Sequence, residues 1–329
     1  MSLFGSRMLR LGLTAALLTL ILWKVSPHAL VEAMRGAQGA PLAAGLLLGL
    51  GFVTLKVIRW GWLLRCVGVA CTAAEALYSF LGGMAVGLVT PGRVGEVARS
   101  LYLRASDKGF VTGAALLDKL FDIAVIVAVG AAGCAVGGYP GTAALMGVLA
   151  AGLILGPMLP EPVLDSLIAL VPVAALRRMA AKLAAPLARL SRGQIALGLM
   201  QGALSFAATM IQFHVFLSAF DSSDRHVPFS ATLFAFPLVV LSNLVPLTLS
   251  GLGVREGVAA YLLAPFGVPG AVAVNTALLV YASNSLLPGL VGALLAPRWK
   301  ARHLPGEAPG SSATPAPAVR PARADGSAQ

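Results

Sequence analysis

Long apolar runs alternate with short polar ones along most of this chain, and the runs fall into two classes by length. Six are long enough for a membrane-crossing helix, which needs about 20 apolar residues: 8–25, 42–58, 116–136, 143–159, 195–219 and 271–296. Two further runs are broken and then resumed. Residues 77–89 are too short to cross, stop at Pro91-Gly92, and resume over 94–103. Residues 229–249 are interrupted by Pro237 and Pro246, and resume over 254–266. The pattern predicts an all-α polytopic membrane protein with about six full spans and two re-entrant hairpins. Irregular backbone at membrane depth is tolerated where it is buried in protein or lines a wet cavity.

The order of these elements repeats: span, span, hairpin, span, and then the same again. Three crossings per half give the halves opposite orientations, the inverted-repeat plan of many secondary transporters. The expected halves are residues 1–139 and 140–302 of one integral membrane domain. The Pro-, Ala-, Gly- and Ser-rich stretch 303–329 reads as a disordered cytoplasmic tail. Ten full spans would satisfy the same charge parity; the shortness of the broken segments favours hairpins.

Composition fits the same picture. The chain of 329 residues is 58% hydrophobic and only 11% charged, whereas soluble domains carry about 25% charged residues. The net charge of +11 does not point to nucleic acid, because the Lys and Arg cluster between apolar runs, where they set orientation. Arg7 and Arg10 precede the first run, Arg59 and Arg65 follow the second, and Arg177, Arg178, Lys182, Arg189 and Arg192 separate the fourth and fifth. Arg298, Lys300 and Arg302 close the last. All are expected on the cytoplasmic side of a bacterial inner membrane, with both termini inside. The first run has no small-x-small cleavage site and ends at Trp23-Lys24, so it is read as a retained helix rather than a signal peptide. Cys66, Cys71, Cys134 and the four histidines show no metal-ligand spacing, so no metal or cofactor is expected. His214, inside an apolar run, is read as a packed or hydrogen-bonded helix residue.

Charged motifs occupy both breaks. The first is T-P-G-R-V-G-E-V-A-R over 90–99; the second is S-G-L-G-V-R-E-G over 250–257. Charge at membrane depth costs about 2.5–3.5 kcal/mol per residue on insertion scales and usually marks a pathway or a site. Arg93, Glu96 and Arg99 recur at three-residue intervals, on one helical face. After Pro91 and Gly92 a new helix begins, whose free backbone N–H groups and arginine forks suit a phosphate. Gly95, Gly251, Gly253 and Gly257 allow close approach of backbone or ligand. Arg255 and Glu256 are adjacent, so the spacing gives them different partners, in the other hairpin. A third cluster, Asp118, Lys119 and Asp122, opens the third span. Asp118 is read as an acid at an interfacial helix start, favoured by the helix dipole, and Asp122, one turn deeper, as a counter-charge. Counted together, four cations and four acids cancel. A self-neutralising structural network and a headgroup site both fit that count. No G-x-x-x-x-G-K-[ST] loop is present, which excludes a nucleotide-driven pump built on this chain.

These motifs resemble the flippase-like membrane family named after the transmembrane part of lysylphosphatidylglycerol synthase. Its P-x-R-x-G-E-x-x-R element is matched by Pro91, Arg93, Gly95, Glu96 and Arg99. Its R-x-x-D helix start is matched by Lys119 and Asp122, with Lys in place of Arg. Its late G-G-x-G-x-R-E-G element is matched by Ser250 to Gly257, with Ser in place of the first Gly. The resemblance covers residues 8–298. It implies an inner-membrane protein that binds and translocates a lipid or lipid-linked headgroup, with Arg93, Glu96, Arg99, Asp122, Arg255 and Glu256 forming a midplane site and no enzymatic activity of its own. Two other readings stay open. One is a scaffold or accessory subunit for a separate lipid-modifying or glycan-synthesising synthase. The other is an intramembrane transferase using the same acids as general base.

Overall fold

Residues 27–90, 93–104, 107–160, 163, 166, 182–220, 226–244, 248 and 250–303 are described by the computed structural model. Among them the chain is helical and contains no strand. Five helices are long and apolar enough to cross a membrane, each at a predicted span. The sixth predicted span, 8–25, lies outside the described residues, as do residues 167–181 and 304–329.

A short helix, α1 (Pro27–Arg35), precedes α2 (Gly39–Cys66). The 28 residues of α2 reach about 42 Å at 1.5 Å per residue, eight residues beyond the predicted end. α3 (Ala73–Leu88) starts at a capping box: Glu75 N–H donates to Thr72 Oγ1 at 3.1 Å, and Thr72 N–H donates to the Glu75 carboxylate at 2.9 Å. Its 16 residues span about 24 Å, short of a ~30 Å hydrocarbon core. The return leg is a 3-10 helix, Val94–Tyr102. Asp107 then caps α4 (Lys108–Val136) by accepting from Phe110 N–H at 2.9 Å. α5 (Pro140–Leu155) opens on a proline, where no intrahelical donor is lost. α6 (Arg192–Ser218) opens on a Ser191–Gln194 capping box. The second broken run forms α7 (Phe229–Ser242) and α8 (Val254–Leu263). α9 (Gly270–Tyr281), a π-helical turn (Ala282–Leu286) and α10 (Leu287–His303) run on as one last crossing.

Each broken run leaves and returns at one end of the bundle. In the first, Arg104 Nε beyond the return leg lies 3.4 Å from Glu75 Oε1 at the start of α3. Tyr78 stacks on Trp299 at 5.2 Å and Lys300 lies over Tyr102 at 5.6 Å, so the C-terminal end of α10 is there too. The second run is anchored at the opposite end. Phe234 packs on Phe266 at 6.1 Å and on Tyr139, of the α4–α5 turn, at 5.4 Å. His214 is a packed residue, as expected: its Nδ1 hydrogen-bonds Thr232 Oγ1 at 3.0 Å and its ring meets the Phe229 edge at 5.2 Å. The two tips meet inside the bundle, where Ser250 N–H donates to Thr90 O at 3.4 Å.

Helix α2 packs on α6, α3 on α10, α7 on α4, the 3-10 helix on α4, and α8 on α9. Two glycines make the tightest of these contacts possible. A Cβ on Gly292 of α10 would collide with the Leu81 carbonyl of α3, and one on Gly133 of α4 with the Leu233 carbonyl of α7. In lipid, where apolar side chains gain little by leaving hydrocarbon, such close backbone approach is a main source of helix association. Gly292→Leu is expected to destabilise the fold by about 1–3 kcal/mol through overpacking. Gly152→Leu, at a site with open space around it, is expected to leave stability unchanged. Thermal unfolding of the two purified variants in detergent, followed by size-exclusion chromatography, checks the pair.

Candidate functional site

The tips are strained and internally bonded. Arg93 (φ 55°) and Ser250 (φ 52°) are the non-glycine residues with left-handed backbone among those described, a conformation costing on the order of 1–3 kcal/mol. Gly251 (φ 77°) and Gly253 (φ 87°) complete the second tip in the same region. Gly95 is required by space: a Cβ would lie 2.6 Å from both Thr90 Oγ1 and Val86 O. Gly257 has open space around it, so its expected role in close approach is not seen. Pro91 and Gly92 lie outside the described residues. The expected backbone anion site is also filled from within. Gly95 N–H donates to Thr90 Oγ1 at 2.8 Å, and Gly253 N–H to Glu256 Oε2 at 2.7 Å. What the tips offer to a ligand is their cationic side chains.

Arg93, Glu96 and Arg99 fall in register because a 3-10 helix has three residues per turn. Glu96 is clamped by Arg93 Nε at 2.7 Å and Lys119 Nζ at 2.8 Å. Arg99 reaches past it to Asp118 Oδ2 at 2.9 Å, with its guanidinium over the rings of Trp60 and Phe80. Asp118 also receives Arg59 Nη2 at 2.7 Å. Asp122 pairs with Arg59 Nη1 at 2.7 Å and with Lys56.

Four expectations are corrected here. Helix α4 begins at Lys108, so Asp118 lies ten residues inside it, buried; it is the centre of an ion cluster and not a dipole-favoured acid at a helix start. Arg59 is buried within α2 and is no cytoplasmic flank; Arg65 keeps that place, exposed near the end of the helix. Arg255 and Glu256 pair with each other rather than with the first hairpin. The Glu256 carboxylate turns back to the Gly253 N–H at the start of α8, which brings it to its neighbour. Arg255 lies over Tyr281 at 4.5 Å. Finally the charges do not cancel. With Lys56 and Arg59 included, six cations face four carboxylates (Glu96, Asp118, Asp122 and Glu256).

A neutral network faces this charged one. Gln212 Nε2 on α6 donates to Gly45 O of α2 and to Ser283 Oγ, each at 2.9 Å. Asn284 Nδ2 in the π turn donates to Gln212 Oε1 at 2.7 Å and Thr209 Oγ1 at 2.9 Å. π turns inside α-helices are frequent at functional sites.

Between the two networks is a cavity of about 180 Å³. Arg93, Glu96 and Arg99 of the first motif line it together with Arg255 of the second. Lys56, Lys119, Asp122, Asn243 and Asn284 contribute further polar wall, and Phe52, Met84, Phe206 and Phe236 apolar wall. Glu256 stands behind Arg255, outside the lining.

Residues 7–292 match the family described as the lysylphosphatidylglycerol synthase TM region. The chain belongs to this family. No curated protein matches it closely enough to count as a relative. Membership accounts for a multi-pass membrane protein with a lipid-related role, and the segments that carry the family resemblance are those that converge on the cavity. The family's acid–base motifs did not expose Lys56, Arg59, Gln212 or Asn284. Their signal was faint: Lys56 and Arg59 look like the end of an apolar run, and isolated amides barely lower hydropathy.

The network makes a stability prediction. Asp118→Asn strands Arg99 and leaves Arg59 with Asp122 alone, and removing one partner of a buried ion pair costs about 3–5 kcal/mol. Glu75→Gln breaks the pair to Arg104, whose side chain is 62% exposed, and is expected to cost at most about 1 kcal/mol through that contact. Unfolding midpoints of the two variants in the same detergent should differ accordingly.

Proposed function

We propose that this protein translocates a membrane lipid by passing its headgroup through the cavity between the hairpin tips while the acyl chains stay in the bilayer. One observation carries the reading: charged motifs from opposite ends of the bundle line a single cavity. Substrate sites of many transporters sit where broken helices from two repeats meet. The protein acts as a transporter rather than a transferase, and a separate synthase would supply any modified lipid.

The packing supports an inverted repeat. If α2 corresponds to α6, α3 to α7, the 3-10 helix to α8, and α4 to the α9–α10 crossing, three of the main contacts find counterparts. The α3–α10 contact answers α7–α4, the 3-10 helix on α4 answers α8 on α9, and α2–α6 maps onto itself. The glycines correspond as well: Gly133 on α4 and Gly292 on α10 each pack tightly on the first leg of a hairpin, and Gly289 does so beside Gly292, whereas Gly130 meets Met146 of α5 first and Pro237 of the hairpin second. Entry of the hairpins from opposite ends follows from such a relation.

Orientation follows from charge. Arg65, Lys300 and Arg189, whose Nη1 donates to Val67 O at 2.9 Å, lie at the end where the first hairpin opens. By the positive-inside rule that end is cytoplasmic in a bacterial inner membrane, with both termini inside. Gly141, at the opposite end with open space around it, should then become reactive to a membrane-impermeant maleimide from outside when changed to Cys in a background lacking Cys66, Cys71 and Cys134. Labelling only after permeabilisation would reverse the orientation.

Transport itself is tested by joining the tips. In the same cysteine-free background, Thr90→Cys with Ser250→Cys places two thiols across the Ser250–Thr90 contact. In proteoliposomes holding acyl-labelled lipid, the reduced protein is expected to move label between leaflets and the oxidised protein to stop, with recovery on reduction. Unchanged movement with the tips joined, or none by the wild-type protein alone, overturns the proposal.

A further inference from the structure

The cavity wall sorts charge, and the sorting has a direction. Five cations reach the lining (Lys56, Arg93, Arg99, Lys119 and Arg255) against two carboxylates, Glu96 and Asp122. The other two acids of the network are withdrawn. Asp118 is held behind the wall by Arg59 and Arg99, and Glu256 is turned to the Gly253 N–H and to Arg255. Both lining carboxylates are themselves doubly occupied, Glu96 by Arg93 and Lys119, and Asp122 by Lys56 and Arg59. The lining cations are paired as well, but a ligand meets five of them against two acids, neither of which is free.

Three of the five lining aromatic rings are taken too, and the other two, Phe206 and Phe236, stack on each other at 5.6 Å. Aromatic rings are the usual seat of an ammonium group in an apolar pocket. Here Phe80 is covered by Arg99 at 4.5 Å, Tyr281 by Arg255 at 4.5 Å, and Phe52 faces Lys56 at 6.0 Å. Size is compatible with this: a cavity of about 150 Å³ holds benzene, so one of about 180 Å³ has room for a phosphate with a few further atoms.

We infer that the cavity selects a compact anionic phosphate-ester headgroup on a membrane lipid and rejects one that carries an added ammonium group. This rests on the proposed lipid site and adds its charge specificity. Like charges brought together at an interface exclude wrong partners, and two cations in excess of four carboxylates do so here. The apolar wall and the half-exposed Leu244 beside it favour an amphiphile over free phosphate.

Binding, not transport, is the test. Protein is incubated with vesicles of equal parts dioleoyl phosphatidylglycerol, dioleoyl phosphatidylcholine and the lysyl ester of phosphatidylglycerol, then repurified, and the retained lipid is quantified by mass spectrometry. Phosphatidylglycerol is expected to be enriched about tenfold or more over either of the others. Arg93→Gln with Lys119→Gln brings the network to four cations and four acids, and is expected to reduce that enrichment to within about twofold of parity in protein that stays monodisperse. Should the double variant not fold, Lys119→Gln alone, whose side chain is 27% exposed, is expected to reduce it by about threefold. Equal retention of the three lipids overturns the inference. So does enrichment that survives the charge-neutral variant, which would place it on the basic surface, or displacement of lipid by millimolar inorganic phosphate, which would mark a free-anion site. Selective retention without any transport by the wild-type protein would sink the translocation reading and leave the charge specificity standing.

Discussion

Asp118 holds two guanidinium groups in a bundle whose outer surface is built for hydrocarbon, and the position of the first hairpin depends on it. Apolar packing alone gives little net drive for helices to associate in lipid, because tails are as apolar as side chains. Ion pairs behave differently, since a charge at depth has no alternative partner. Arg59 brings α2 to Asp118 and Arg99 brings the 3-10 helix to it. Lys119, next along α4, reaches Glu96 on the same 3-10 helix. The return leg is only nine residues of 3-10 helix, a conformation rarely sustained beyond one turn. It persists because its charged face is bolted to α4 while Tyr102 fits against Gly82, where a Cβ would lie 2.6 Å from the ring.

The tips obey the companion constraint, that backbone polar groups at depth must find partners inside the protein. Thr90 does most of this in the first hairpin. Its Oγ1 accepts from Gly95 N–H and donates to Val86 O at 3.1 Å, and its carbonyl accepts from Ser250 of the other tip. The left-handed backbone at Arg93 and Ser250 is the cost of turning within so little chain, and the surrounding bonds hold it. The Gly95 and Gly253 N–H groups are consumed by these turns, so what each tip turns to the cavity is side chain, Arg93 on one and Arg255 on the other.

Much of this was legible in the residues. Run length marked the crossings, and proline and glycine marked the breaks, because each acts locally. Arg93, Glu96 and Arg99 were readable as one face since a three-residue spacing survives the change from α to 3-10 helix. The failures share a cause, namely partners distant in sequence. Hydropathy ends a span at its first charges, so Lys56 and Arg59 looked like a boundary. Their neutralising acids, Asp118 and Asp122, lie about sixty residues on, and α2 continues to Cys66. Asp118 was misread by the same rule from the other side. The Arg255–Glu256 pair escaped because face spacing describes the middle of a helix, whereas Glu256 sits in the first turn and bends back to its cap. Gln212 bonds a carbonyl 167 residues away, a distance that no local pattern reports.

The two networks differ in chemistry, and that difference distributes rigidity. The charged network ties α2, the 3-10 helix and α4 together. The neutral one ties α2 to α6 and the π turn through Gly45, Gln212, Ser283 and Asn284. Helix α2 belongs to both, so the two networks form one spine through the bundle. The second hairpin stands outside it: its ion pair is local, Arg255 with Glu256, and among the described residues no ion pair joins it to the first hairpin. Among the described residues, the hydrogen bonding across the tips is a single backbone bond of 3.4 Å. Constraint is therefore strong along the spine and weak at the seam between the tips. The cavity is thus bounded by a charged wall tied on several sides and by a tip with few bonds to it, and Arg93 and Arg255 line it from the two sides of that seam.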